Sequence, residues 1–556
     1  MNSTDIVFLH PPSFYDFRKE LWFPGPIANT VPICTPVFMM FPIGFISMGA
    51  YLEDNGVKVR IVNIAERMFI DNNFDVEDFL KRLSSNIYAI DLHWIVHAQG
   101  AIEIAKICKK YHPESIVLLG GLTSTYFAKE IIRNFHFIDC ILKGEGEYAI
   151  LKLIHNVSKF DKINAFYHTP NLIFIDKNKN TIIETETMET VDTIDHFDFT
   201  RLRLVEPGTR ALTPPFSKSK IWSLPICRGC VYNCASCGGS NYAYKKLMKR
   251  ERLAFRSPER ILEDLMILDE QKVSSVFLFQ DPRMGGIKYF ERLLNVLKMS
   301  KWSYIRTVGF ELFEPIDRSF LNYLIKNKPA ENIALTISPE SGVEDIRRKH
   351  GREYSNAELL LTIQYCKRQG ISLGVFFMSG LGYETFDTLK ETWNFWKKIS
   401  LIEKEVKSES HIFVEFGPMI FLDPGSLAFD YPEKYGYKIK FKRFNDYYQA
   451  IKNSPYWAHW ISYETSHMNT FDLTYSILNS LEEVLKYKKE CGLISDKEFE
   501  RGKMRIDLEK VYATEFNKII KIEDSHERMS RIKELDIILK DPVLIRSYLL
   551  THSTSS

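Results

Sequence analysis

The chain has 556 residues, 73 Lys and Arg against 71 Asp and Glu, a formal net charge of +2 and nine cysteines. This length exceeds one ordinary core and predicts several domains, and the near-balance of charge gives no electrostatic reason to expect nucleic acid as a partner. Four cysteines crowd between Cys227 and Cys237 while the rest are scattered singly, the pattern of a reducing compartment and not of a disulfide framework.

The N-terminus carries Asp5 and no basic segment before its apolar run, which argues against a secretory signal and points to the cytoplasm. Val31 to Leu52 is nearly uncharged and about long enough to cross a bilayer. Pro32, Pro36, Pro42, Gly44 and Gly49 interrupt it, so it reads as a buried loop entering a core helix, and no transmembrane span is expected. Short β-rich runs (Ile6-Val-Phe-Leu, Val57 to Val62, Tyr88 to Leu92, Ser115 to Leu119, Asp139 to Leu142) alternate with helical stretches. That pattern predicts a doubly wound, Rossmann-like α/β domain over residues 1–155, with ligands at the carboxyl ends of its strands. Two glycine-rich turns sit at such ends, Gly120-Gly121 and Gly144-Glu145-Gly146-Glu147.

Residues 156–217 read as a linker of polar connections and short strands, punctuated by Pro207-Gly208 and Pro214-Pro215. Ser257 as N-cap and Pro258 then open a helix, and strands recur at Val273 to Gln280, Ile305 to Leu312, Ile333 to Ser338, Ile371 to Met378 and Ile412 to Ile420. This is a second α/β domain over 218–435, a full or partial barrel. Residues 436–556 read as a helical C-terminal region, with Ser495-Asp-Lys-Glu498 as a capping box and a frayed Thr-His-Ser-Thr-Ser-Ser end.

The segment Cys227-Arg-Gly-Cys230-Val-Tyr-Asn-Cys234-Ala-Ser-Cys237-Gly-Gly carries the chemistry. Three thiolates spaced CxxxCxxC wrap three irons of a cuboidal cluster and leave the fourth open. A four-cysteine zinc site needs its two knuckles farther apart. A closed electron-transfer cluster with Cys227 as fourth ligand is compatible with the spacing.

CxxxCxxC after a strand-like run at the head of a barrel resembles the radical S-adenosylmethionine (SAM) superfamily. The resemblance implies an oxygen-sensitive [4Fe-4S] cluster on Cys230, Cys234 and Cys237, with SAM chelated by the open iron and cleaved to a 5′-deoxyadenosyl radical by an external low-potential electron donor. It also implies SAM contacts from Tyr232 in the loop, from Asp281 after Gln280, from Glu340-Ser341-Gly342, and from Gly380 in the turn Gly380-Leu-Gly-Tyr-Glu384-Thr385. The preceding α/β domain, with Pro11-Pro12, Pro42-Ile-Gly-Phe and its two glycine turns, resembles the cobalamin-dependent branch. Cobalamin contacts are then implied for Gly120, Gly121, Gly144, Glu145 and Gly146. His97-Ala-Gln-Gly100 fits half of a DxHxxG cobalt-ligand signature, with Ile95 where Asp is expected, and His97 is carried as a candidate beside His93; a corrin without a histidine ligand is the favoured arrangement. The resemblance implies methyl transfer to an unactivated carbon. Alternatives are a cobalamin-dependent cyclase or rearrangement enzyme, and a non-catalytic iron-sulfur or corrinoid carrier or sensor. Small-molecule, lipid and peptide substrates stay open.

The basic run Tyr244 to Phe255 reads as paired with local acids or solvent-facing, and the aromatic stretch Tyr447 to Trp460 as a pocket roof or core.

Overall fold

The computed structural model describes residues 4–23, 25, 42–188, 190–206 and 220–539. Residues 31–41 of the apolar stretch, the prolines at 207, 214 and 215 and the last six residues lie outside these. Within the described part, Gly44–Asp54 is a helix whose Phe45, Ile46, Ala50 and Leu52 are buried, and no described helix is long and apolar enough to cross a membrane.

The first sheet comprises β1 (Thr4–His10), β2 (Val59–Asn63), β3 (Ser85–Asp91), β4 (Ile116–Gly120), β5 (Cys140–Leu142), β6 (Leu172–Asp176), β7 (Thr181–Glu184) and β8 (Val205–Glu206), in the order β7-β6-β5-β4-β3-β1-β2-β8. β1 to β5 run parallel. Their apolar runs are sealed on both faces, with Ile6 to Leu9 wholly buried, because helices cover both sides of a doubly wound sheet. Strand order reverses between β1 and β3, so the crevice for a ligand opens where those strands end, at His10 and Asp91. Among the described residues of 156–217, the chain is not the connecting linker expected. β6 and β7 extend the sheet antiparallel from β5, and β8 pairs with β2 at the opposite edge.

The second sheet holds β9 (Ile221–Pro225), β12 (Ser275–Phe279), β13 (Thr307–Leu312), β14 (Asn332–Glu340), β15 (Ser372–Ser379) and β16 (Ile412–Pro418) in sequential order, every pair parallel. Among the described residues no ladder joins β16 back to β9, so this is a partial barrel. A small antiparallel hairpin of β10 (Cys227–Arg228) and β11 (Ala254–Phe255) interrupts it after β9.

From residue 436 to 539 the chain is mainly helical, apart from the antiparallel pair β17 (Tyr437–Ile439) and β18 (Tyr463–Thr465). The Ser495 box forms: its hydroxyl accepts from Glu498 N while Glu498 takes the Ser495 N–H. This region docks on both α/β units. The Glu130 carboxylate accepts the first N–H groups of helix Phe444–Asn453, from Phe444 and Asn445, at 2.9 and 3.0 Å. On the barrel side, helix Thr470–Glu490 sends Tyr487 to the Ile412 carbonyl at 2.7 Å.

Candidate active site

The cysteine loop leaves the carboxyl end of the first barrel strand. Cys227 differs from the other three: it is 1 % exposed, and its N–H and thiol both donate to Gln280 Oε1, at 3.1 and 3.3 Å. Cys230 and Cys234 are half-buried and Cys237 is exposed. The N–H groups of Tyr232 and Gly239 donate to the Cys230 and Cys237 sulfurs at 3.4 and 3.3 Å. His350 O takes the Ala235 N–H at 3.0 Å and Asp423 takes that of Gly238 at 2.9 Å, fixing the loop from two barrel turns. Gly351, at φ +89°, has to be glycine, since a Cβ there would stand 2.7 Å from Asn233 O. Burial pushes the Cys230 and Cys234 thiols up, Cys234 to about 11 with Arg352 pulling it down. Ionising these two calls for metal charge beside them. No three His, Cys, Asp or Glu side chains among the described residues close on a single ion; thiolates around a cubane stand apart, one to each iron.

Along the barrel strands, Val276, Leu278, Val308, Phe310, Leu335 and Ile337 are buried under the helices. The intervening Phe279, Glu311, Thr336, Ser338, Met378 and Glu415 are part-exposed and face the lumen. Glu415 pairs with Lys488 at 3.2 Å. Glu311 has no cation within ion-pair distance among the described residues; its Oε2 accepts the Gln280 N–H at 2.7 Å, and burial pushes its carboxyl up. Glu340, at φ +64°, ends β14 with one oxygen on Arg352 Nε at 2.9 Å and the other buried without a hydrogen-bond partner. An orphaned carboxylate oxygen and an unpaired carboxylate on one lumen fit the polar groups of a bound SAM.

Three expected SAM contacts are otherwise employed. Asp281 is fully buried and its carboxylate is filled by Arg283 (Nε at 2.9 and 3.1 Å) and by Phe313 N at 2.8 Å. Ser341 is fully buried and accepts the Val343 N–H at 3.1 Å within its turn. Gly380, at φ +88°, lies against the Tyr463 hydroxyl and donates to Glu384 at 2.9 Å. Tyr232 stands edge-on to Phe313, centroids 5.4 Å apart, joining the cluster loop to the strand that carries Glu311.

Glu384 is fully buried and burial pushes its carboxyl up to about 8. The folded chain thus keeps a proton that the unfolded chain loses, and stability falls as pH rises from about 4.5 to about 8. Glu384→Gln is expected to flatten that slope. Thermal denaturation of both forms at about pH 5 and about pH 9 checks it, the variant gaining on the order of a few kcal/mol at the higher pH only.

At the first domain's strand ends, Gly120 and Gly144 adjoin open space, with nothing nearer than Met248 at 4.0 Å to a Cβ placed on Gly144. Backbone can meet a corrin there. Gly121 instead lies against the His93 backbone, and Gly146 against Met48. His97 is fully buried, its ring edge-on to His10 at 5.0 Å, while His10 bonds Asp91 at 3.1 Å. His97 thus packs beside the His10–Asp91 pair at the strand ends. Glu145 and Glu147 reach across to the cysteine hairpin: Arg228 donates to Glu147 at 2.7 Å and Glu145 at 3.2 Å, Arg250 Nε donates to Glu145 at 2.7 Å, and Ser47 donates to Glu147 at 2.9 Å. The turn expected to contact cobalamin clamps the two domains together, leaving Gly144 at its open edge.

Residues 224–395 match the family model "Radical SAM superfamily", and residues 30–154 match "B12 binding domain". The chain belongs to the cobalamin-dependent radical SAM superfamily. The radical SAM domain implies a [4Fe-4S] cluster and SAM, and the B12-binding domain implies cobalamin. It is 22 % identical over 402 residues to an anaerobic magnesium-protoporphyrin IX monomethyl ester cyclase of Rubrivivax gelatinosus, covering 70 % of this chain and 64 % of the relative. It is 23 % identical over 256 residues to a hopanoid C-3 methylase of Methylococcus capsulatus, 44 % of each chain. The chain thus spans less than two thirds of these curated relatives. Its fold resembles the radical SAM methyltransferase TsrM of Kitasatospora setae with cobalamin and [4Fe-4S] cluster bound (TM-score 0.58, 12 % identity, 89 % of this chain and 90 % of that one). It also resembles the cobalamin-dependent radical SAM enzyme OxsB (0.58, 13 %, 98 % and 80 %).

Three residues that the sequence did not offer as candidates stand at this site, Gln280 and Glu311 beside the cysteine loop and Arg352 on Glu340. Glu311 left a signal, a charge at a lumen-facing position of the apolar strand Thr307–Leu312. Arg352 left none: only the fold brings residue 352 to Glu340 and the cysteine loop.

Proposed function

We propose that this chain is a cobalamin-dependent radical SAM methyltransferase acting on an unactivated carbon, located in the cytoplasm and served by an external low-potential electron donor. The observation that carries it is the four-residue clamp of Arg228 and Arg250 on Glu145 and Glu147, which holds the corrinoid domain's strand ends against the cysteine loop. A methyl donor and a radical source have to face one substrate, and this clamp brings their two domains into register.

Cys230, Cys234 and Cys237 hold the cluster, Gly120 and Gly144 meet the corrin, and Glu311, Glu340 and Arg352 receive the polar groups of SAM. Bound there, the cluster supplies the electron that cleaves SAM and cobalamin supplies a transferable methyl group. The chain's own part is orientation and exclusion of water: Arg352 holds one Glu340 oxygen and leaves the other for a donor, and Phe279 and Met378 give the lumen an apolar lining. Glu311→Gln is expected to weaken SAM binding by about 10- to 100-fold, the worth of a hydrogen bond to a charged group. Equilibrium binding of SAM to the reconstituted protein measures this; Asp281→Asn is expected to lower thermal stability instead.

The methylase relative supports methyl transfer. Cyclization is the second reading, favoured by the cyclase relative's longer alignment. Methyl-labelled SAM, incubated anaerobically with the enzyme and cell extract, separates them. Label entering a new small molecule only with cobalamin present supports methyl transfer, and an unlabelled new product supports cyclization.

A further inference from the structure

We infer that Gln280 is a positioning residue that sets the spacing between the cluster ligand Cys230 and the lumen carboxylate Glu311, an inference resting on the roles proposed above for those two. Gln280 follows β12 at φ +75°, a left-handed conformation that side-chain-bearing residues seldom adopt. Its side-chain amide is used at both ends. Oε1 accepts the N–H and thiol of Cys227, and Nε2 donates to the Gly229 carbonyl at 3.0 Å, one residue before Cys230. Its backbone N–H meanwhile donates to Glu311 at 2.7 Å. One residue thus ties the cysteine loop, the second barrel strand and the third. Cys227 acquires a role as well: it is the thiol Gln280 holds, which keeps it out of the trio.

Glutamine suits the task on chemical grounds. Asparagine is a methylene shorter, and glutamate lacks the donor for Gly229 and brings a second negative charge toward Glu311. Glycine adopts the backbone angle without strain but has nothing to reach the loop. Left-handed backbone kept on a residue with four such contacts marks a place where geometry is being held.

The test uses the full-length protein, reconstituted anaerobically with iron, sulfide and cobalamin, as parent, Gln280→Gly, Gln280→Glu, Cys227→Ala and Glu311→Gln. Iron content, thermal midpoint, SAM affinity and the SAM-induced change in the reduced cluster's EPR spectrum are read for each. Gln280→Gly is expected to keep its iron and thermal midpoint yet lose about 10-fold in SAM affinity, with an attenuated EPR change. Gln280→Glu is expected to lose at least as much, and Cys227→Ala, which keeps the backbone contact, to stay near the parent. If Gln280→Gly matches the parent while Glu311→Gln binds SAM weakly, the positioning role is overturned and the Glu311 reading stands. If both match the parent, both fail. If Gln280→Gly loses iron and thermal stability together, the residue is only a structural support and the inference falls.

Discussion

Arg228→Ala is expected to destabilise the folded chain by about 3–5 kcal/mol, because it leaves Glu147 charged, buried and unpaired. In the intact protein, burial works to raise the Glu147 carboxyl, but Arg228 and Ser47 outweigh it and hold it below its usual range. A depressed acid contributes stability that is present above its unfolded value, about 4.5, and lost as pH falls through its folded value. In the variant the Arg228 contribution is gone and only Ser47 and the backbone oppose burial, so less of this stability is gained as pH rises above about 4.5. Thermal denaturation across pH measures both slopes. Replacing the pair with apolar residues, Arg228→Met with Glu147→Leu, is expected to recover most of the loss, since no buried charge is then stranded. A variant as stable as the parent at every pH would mean that the clamp does not hold the domains.

The second large effect concerns the four clustered cysteines. Cys230→Ala, Cys234→Ala and Cys237→Ala are each expected to lose the cluster and reduce 5′-deoxyadenosine formation to background, while Cys227→Ala retains cluster iron and activity. The difference follows from placement: Cys227 is sealed against Gln280 on the barrel side, whereas Cys230 and Cys234 are half-buried and Cys237 is exposed. Iron analysis and EPR of the four reconstituted variants decide it. Equal loss in Cys227→Ala would favour a closed cluster and the carrier or sensor reading.

Much of the architecture was legible in the sequence because its signals are local. Unbroken apolar runs such as Ile116–Gly120 mark strands sealed on both faces, and Ser257-Pro258 and Ser495 to Glu498 mark helix starts. The cysteine spacing was legible for the same reason, since a loop's reach is fixed by neighbouring residues. What failed was tertiary. The short strands read after residue 156 gave no sign of where they would pair; that β6 and β7 extend one edge of the first sheet and β8 the other is decided by the tertiary fold. Asp281 and Ser341 stand at strand ends where SAM contacts were expected, yet Arg283 and the turn at Val343 engage them first. Glu145 looked like part of a cobalamin turn, and its partners Arg228 and Arg250 lie far along the chain. The basic run was read in part: Lys245 pairs with the local Glu251, whereas Lys246 reaches Asp430 and the buried Arg250 reaches Glu145 in the domain clamp.

The most direct measurement is the yield of 5′-deoxyadenosine and S-adenosylhomocysteine from the anaerobically reconstituted enzyme, given SAM, a low-potential reductant and cell extract, with and without cobalamin. Both products, with S-adenosylhomocysteine dependent on cobalamin, are predicted. Neither product from a protein with an intact cluster would contradict the assignment of a SAM-cleaving methyltransferase.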